Sequence, residues 1–305
     1  MQINQQNLAA LFRGYRTLFM EEYQAAPPEW EGIAMRTASG SAEEVYHWLG
    51  AIPGMKKLVG EVVIDNLTAN NWTIPNCEWE DTIGVKQADI ERDSHGIYSP
   101  LFQSLGSVAR HHPDELVADL LLQGFTQPDY TGQPFFASNK VQGSEAAQVT
   151  FSNKGTAKLS AGSYETARKN MRCRKNGEGR PMGLGRDLLL IVAPKNETVA
   201  RQILEAERVS GGDSNVNKGT ARLLVWPQLC AGNENAWFLL EVGLPMRPLI
   251  VQIEKEPQLA SLTDWTTSDH VFKQHEFLYQ AYGRYNAGYG LPQLAYGSDG
   301  STAAP

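Results

Sequence analysis

"SHGIYSPLFQSLGSVARHHPDELVADLLLQG", Ser94 to Gly124, decides how the chain is read, because apolar residues keep a helical step through most of it. Ile97, Leu101, Leu105, Val108, Ala109, Leu116, Leu120 and Leu121 recur at helical spacing, and Gly124 supplies a stop. Pro113, with Asp114 and Glu115 behind it, has the look of a fresh helix N-terminus, which leaves two readings: one kinked helix or two abutting ones. If continuous from Ile97 to Gln123, the element is about 40 Å long at ~1.5 Å per residue. A rod of that length is something a domain is built around.

Outward from the rod, residues 4 to 23 predict an amphipathic helix, with Leu8, Leu11, Phe12, Tyr15, Phe19 and Tyr23 on one stripe. "AAPPEWEGIAMRTASGS" (25 to 41) has no period and predicts an extended arm. Ser41 and Glu44 have capping-box spacing for a short helix through Trp48. "YHWLGAIPGMKK" (46 to 57) then scatters apolar residues around Gly50, Pro53 and Gly54, so no single internal face takes them all. Residues 61 to 90 predict a long hairpin turning at Asn70 and Asn71.

Beyond the rod, 126 to 162 predicts loops, and 163 to 175 a helix. "DLLLIVAP" (187 to 194) predicts a buried strand and 196 to 209 a helix. "ARLLVWP", "AWFLLEVG" and "PLIVQIE" are three more apolar strands, and Glu276 to Tyr285 a last one. Nothing repeats, and the mixed order indicates an α+β fold.

Composition limits the function. The chain has 305 residues, 42% hydrophobic and 20% charged, enough for one large core or two smaller ones. A formal charge of −7 argues against a dedicated DNA-binding protein. The start lacks a basic region followed by an apolar one, and 18 apolar residues never run together, so a soluble cytoplasmic product is expected. Cys77, Cys173 and Cys230 lack metal-ligand spacing and are read as structural thiols.

Three motifs tempt a catalytic reading. "RKNGEGRPMGLGRD" (174 to 187) is glycine-rich, but its glycines precede a strand instead of opening a helix onto a phosphate. It lies in a basic patch, Arg168, Lys169, Arg172, Arg174, Lys175, Arg180 and Arg186, seven cations against three acids between 165 and 187. That patch suits a solvated face, an acidic neighbour or DNA. "HHPDE" (111 to 115) lacks metal-site spacing, and "GGDSN" (211 to 215) is turn chemistry. No catalytic set, cofactor or metal is expected.

"YHWLGAIPGM" (46 to 55), "IGVKQADIERDSHGIYSPLF" (83 to 102) and "HPDELVADLLLQGF" (112 to 125) followed by "YTGQPFF" (130 to 136) together resemble the major head subunit of Mu-like phages and prophages. Where that family continues with Asp and then Asp-His-Pro, this chain has Ala137, Ser138, Asn139 and Lys140. The resemblance implies a Hong Kong 97-type capsid fold: an arm (1 to 48), an extended loop (49 to 76), a peripheral domain with a long spine helix (77 to 125), an axial domain (126 to 245), and carboxy-terminal strands returning to the peripheral domain (246 to 305). It implies copies of itself in pentamers and hexamers of an icosahedral head, and a scaffold, a portal and a decoration protein as partners. DNA is enclosed with at most nonspecific contact, no membrane is involved, and assembly takes place in the host cytoplasm.

On this reading Leu8, Phe12, Tyr15, Phe19, Trp48, Leu49, Ile52, Pro53 and Met55 are candidates for contact with a neighbouring subunit; for the first helix, packing on its own domain fits the periodicity nearly as well. The rival readings are a cytoplasmic α/β enzyme using residues 188 to 227 for a small ligand, and another virion component, a scaffold or decoration protein.

Overall fold

The computed structural model describes residues 5–25, 27–49, 72–92, 96–142, 149–176, 179–209, 212–264 and 268–303. In chain order it holds α1 (Gln5–Ala25), α2 (Trp30–Ile33), β1 (Ala34–Ala38), β2 (Glu43–Val45), β3 (Thr73–Pro75), β4 (Cys77–Lys86), α3 (Gln87–Arg92) and α4 (Ser99–Gln123). There follow β5 (Lys140–Gln142), β6 (Val149–Phe151), β7 (Lys154–Ala157), α5 (Ala161–Arg172), β8 (Leu188–Val192), α6 (Glu197–Leu204), β9 (Arg222–Val225) and β10 (Trp237–Glu241). The last elements are β11 (Leu249–Leu262), α7 (Asp269–Gln274), β12 (Glu276–Tyr289) and β13 (Ala295–Thr302).

The rod is a single helix: α4 runs 25 residues, about 37 Å at ~1.5 Å each, with Pro113 inside it. Its N-terminal half packs Phe102 and Leu105 into a core with Tyr15 and Phe19 of α1 and Phe277 and Tyr279 of β12. Its C-terminal half packs Val117, Ala118 and Leu121 into a second core with Trp30, Phe135, Phe238 and Leu249. Beneath it lies a four-stranded sheet in the order β1-β11-β12-β4, with β1 parallel to β11 and the other pairs antiparallel.

A five-stranded sheet, β7-β13-β10-β8-β9, forms the rest. Two of its inner strands, β8 and β10, read as continuous apolar runs because both faces are covered. Leu188, Leu190 and Val192 of β8 and Trp237 and Leu239 of β10 meet α5 and α6 through Tyr164, Met171 and Ile203. Leu189, Ile191, Phe238 and Leu240 point the other way, into the core shared with α4. α5 starts at a reciprocal cap in which Ser160 and Ser163 bond each other's backbone N–H.

The structure departs from the sequence reading in several places. Residues 41 to 48 are not helical: β2 pairs antiparallel with β3, and the Glu44 carboxylate that had cap spacing instead accepts from the Gly40 N–H at 2.9 Å and the Ser39 hydroxyl at 2.9 Å, closing a turn. Residues 30 to 38 are no free arm, since α2 and β1 sit in the core and on the sheet. β3 pairs with β2 and β4 with β12, while the first arm of the expected hairpin, 61 to 69, lies outside the described residues. The expected turn at Asn70 and Asn71 lies outside the described residues.

The carboxy-terminal strands also divide. β11 and β12 join the sheet beneath α4, but β13 is inserted between β7 and β10 of the other sheet. The strands between 246 and 305 therefore contribute to both sheets. Between β12 and β13 lies the short turn Pro292–Leu294, whose Gln293 carbonyl accepts from Arg174.

Buried polar groups tie the pieces together. The Asp114 carboxylate, 1% exposed on α4, accepts from the Trp30 N–H at 2.7 Å, at the start of α2, and from His111 Nδ1 at 3.0 Å. Asp114→Ala leaves that amide unsatisfied and is expected to cost about 1–3 kcal/mol in a denaturant titration.

Candidate intersubunit surfaces

The candidates on α1 turn inward. Leu8, Tyr15 and Phe19 are buried against α4 and β12, and Phe12 packs half-buried beside them. Tyr15 stacks on Phe102 with ring centroids 3.9 Å apart, and the α1 backbone lies so close to α4 that a Cβ on Gly106 would strike the Phe19 carbonyl. The helix spends its apolar stripe on its own chain, which removes Leu8, Tyr15 and Phe19 from the surface offered to a neighbour. Gly106→Ala is expected to cost about 1–3 kcal/mol and to make residues 5 to 25 more sensitive to limited proteolysis; an unchanged digestion pattern counts against this packing.

Leu49 is likewise buried, with Tyr46, Ile74, Ile250 and Leu291, and Trp48 is half-buried against the same cluster. Ile52, Pro53 and Met55 lie outside the described residues.

The basic patch loses one member. Arg174 is 3% exposed and donates to the carbonyls of Gln293 at 2.5 Å and Ala295 at 3.0 Å and to Asn170 Oδ1 at 2.6 Å, with its guanidinium 5.0 Å from the Phe151 ring centroid. Burial pulls its pKa down to about 9. It is an internal clamp. Lys169, Arg172, Lys175, Arg180 and Arg186 are exposed and Arg168 half-exposed, so a cationic face remains on and after α5.

The glycine-rich loop does bind an anion, and the anion belongs to the chain. Glu241, 1% exposed at the end of β10, accepts from the backbone N–H groups of Gly185 (2.5 Å), Arg186 (3.1 Å), Asp187 (3.2 Å) and Gly243 (3.3 Å). Gly183 and Gly185 adopt positive φ, 67° and 90°, which curls the loop so that successive amides converge. A charge at the end of the apolar run "AWFLLEVG" was the one signal in the sequence for this contact. The same nest is thus occupied from within and not open to a phosphate.

A buried charge pair lies elsewhere, between Asp129 and Lys140. Lys140 Nζ bonds the Asp129 carboxylate, with both side chains fully buried, and Thr131 donates to the carboxylate from its N–H (2.9 Å) and hydroxyl (2.6 Å). Burial lowers the Lys140 pKa.

Exposed apolar side chains are scattered over the described surface, and three of them lie at or just before the first half of α4. Ile97 just before it and Leu101 and Val108 on it are 71%, 42% and 56% exposed, the latter two on one face of the helix. Phe272 of α7 is exposed as well. Beside this row runs the β4 edge of the sheet, which carries Glu78, Glu80 and Asp81. An acidic edge resists indiscriminate strand pairing. Among the described residues no group of three or more His, Cys, Asp or Glu is placed to hold a metal ion, and no helix is long and apolar enough to cross a membrane.

The family model described as the Mu-like prophage major head subunit gpT matches residues 8–158, 147–229 and 230–304. The chain belongs to this family. The major capsid protein of Escherichia phage Mu is 29% identical over 289 residues, covering 95% of this chain and 72% of that one. A Mu-like prophage major head subunit of Haemophilus influenzae is 26% identical over 295 residues, covering 97% and 74%. Among solved structures, the procapsid of bacteriophage JBD30 matches with a TM-score of 0.61 and 27% identity over 97% of this chain and 76% of that one. A virus-like particle from Pyrococcus furiosus, 9% identical, shares the fold with a TM-score of 0.55 over 93% and 97%.

The head subunit accordingly has the α+β capsid fold of the Hong Kong 97 type, and it is a major capsid protein that self-assembles into a virion shell. Its role is structural and not enzymatic. The β8-α6-β9 unit that suggested an enzyme is a crossover in the five-stranded sheet.

Proposed function

We propose that the head subunit forms pentameric and hexameric capsomers of an icosahedral head enclosing double-stranded DNA, assembled in the host cytoplasm with a scaffold, a portal and a decoration protein. The observation that carries this reading is the match of 97% of this chain to the subunit of the JBD30 procapsid, of which it covers 76%. In this arrangement α4 is the spine of a peripheral domain (77 to 125, with β11 and β12), 126 to 245 with β13 is the axial domain, 49 to 76 is an extended loop, and 1 to 48 an arm whose helix is docked on the spine. Trp48, Phe12 and the loop residues Ile52, Pro53 and Met55 remain contact candidates, joined by Ile97, Leu101 and Val108, whose apolar side chains gain from burial at about 25 cal/mol per Å2. Many modest contacts made at once suffice, because each neighbour already bound raises the effective concentration of the next. The exposed cations after α5 suit an acidic neighbour or nonspecific contact with DNA.

Negative-stain microscopy of the purified subunit, alone and with its scaffold, tests the reading: shells or capsomer rings are expected, and a compact monomer under all conditions overturns it. Leu101→Asp with Val108→Asp changes only exposed positions, so the melting temperature should hold within a few degrees while particle yield falls at least about tenfold.

A further inference from the structure

The two cores that α4 covers are separate, and the boundary between them crosses α4, β11 and β12. On α4 the division falls between Ala109 and Leu116, and Pro113 lies inside it. Proline has no N–H to donate back to residue 109, so the helix is weakest there. On β11 it falls between Ile253 and Leu259, where the register with β12 shifts twice around Pro257. On β12 it falls between Ala281 and Ala287, where Gly283 stands so near Pro257 that an added Cβ would lie 3.1 Å from the ring. A proline, a double bulge and a glycine coincide, and a groove lined by Trp79, Leu105, Val108, His112, Pro257 and Tyr285 opens at the coincidence.

One set of contacts bridges the groove. His112 on α4 has Nδ1 3.0 Å from the Tyr285 hydroxyl on β12, and its ring lies 4.4 Å from the ring of Trp79 on β4. Trp79 in turn donates from its indole N–H to the Tyr285 carbonyl at 2.9 Å. We propose that His112, Trp79 and Tyr285 form an acid-released latch, which holds α4 down on the sheet across a built-in flexure between the two cores.

The groups around His112 decide the sign. Glu115 on its own helix favours the imidazolium, and the exposed carboxylates of Glu80 and Asp81 on β4 line the groove rim. Tyr285 and Tyr282 of β12 are neutral, burial raising both hydroxyl pKa values. On β11 the nearest charges are spoken for: Glu254 pairs with Arg284 at 2.7 Å, Glu256 with Arg36, and Lys255 lies over Tyr282. Burial outweighs Glu115 and holds the His112 pKa below its ordinary 6.5. A histidine with a depressed folded pKa contributes its stability in full above 6.5 and loses it as pH falls through the lower, folded value. Acid therefore opens the latch.

Hydrogen exchange on the full chain, corrected for intrinsic rates, reads this directly. Between about pH 7.5 and pH 5, amides of residues 105 to 117 and 281 to 287 are expected to exchange about threefold to tenfold faster, while those of β8 and β10 hold their protection. His112→Gln, which keeps a polar group but does not titrate, should remove the pH dependence; Tyr285→Phe should leave the segment open at both pH values. An acid response that survives in His112→Gln, or none in the wild type, overturns the proposal.

Discussion

Replacing Glu241 with Ala is expected to destabilise the head subunit by about 3–5 kcal/mol, because four backbone N–H groups are left around a buried space without their acceptor. The loss should be local in its first effects. Residues 183 to 187 lose the group that holds them curled, and with them go the bidentate pair between Asp187 and Arg222 (3.0 and 3.2 Å) and the start of β8. Glu241→Gln keeps one acceptor oxygen and should recover roughly half of the deficit. Chemical denaturation of the three proteins measures this; equal stability of Glu241→Ala and wild type would mean that the nest is not closed by this carboxylate.

The buried pair Asp129 and Lys140 should behave in the opposite way when both members are changed. Asp129→Asn preserves the turn bonds from Thr131 but leaves the Lys140 ammonium unpaired in a fully buried site, and is expected to cost about 3–5 kcal/mol. Adding Lys140→Met removes the stranded charge and fills the same volume, so the double variant should return to within about 1.5 kcal/mol of wild type. Denaturant midpoints of the two singles and the double complete the cycle. Strict additivity would show that the two groups do not meet.

Much of this was legible along the chain. The spine helix followed from the spacing of Leu105, Leu116, Leu120 and Leu121, and the strands at 188 to 192 and 237 to 241 followed from unbroken apolar runs that only a two-sided burial explains. Family membership was legible in three short passages, because they hold unusual combinations of aromatic, glycine and proline residues at set places. The segment 41 to 48 was misread because a carboxylate three residues after a serine serves a helix cap and a strand-entry turn equally well.

Local order in this molecule is set by periodicity and turn chemistry, which reside in neighbouring residues and can be read without coordinates. Which side of α1 meets its own chain, whether Arg174 belongs to a surface or to a clamp, and which anion fills the 183 to 187 loop depend on groups distant in sequence: Phe102, Gln293 and Glu241. Burial and hydrogen-bond satisfaction are properties of where the chain returns, and the spacing of residues along it does not encode them. The amphipathic helix was decided by sequence; its partner was decided only by the fold.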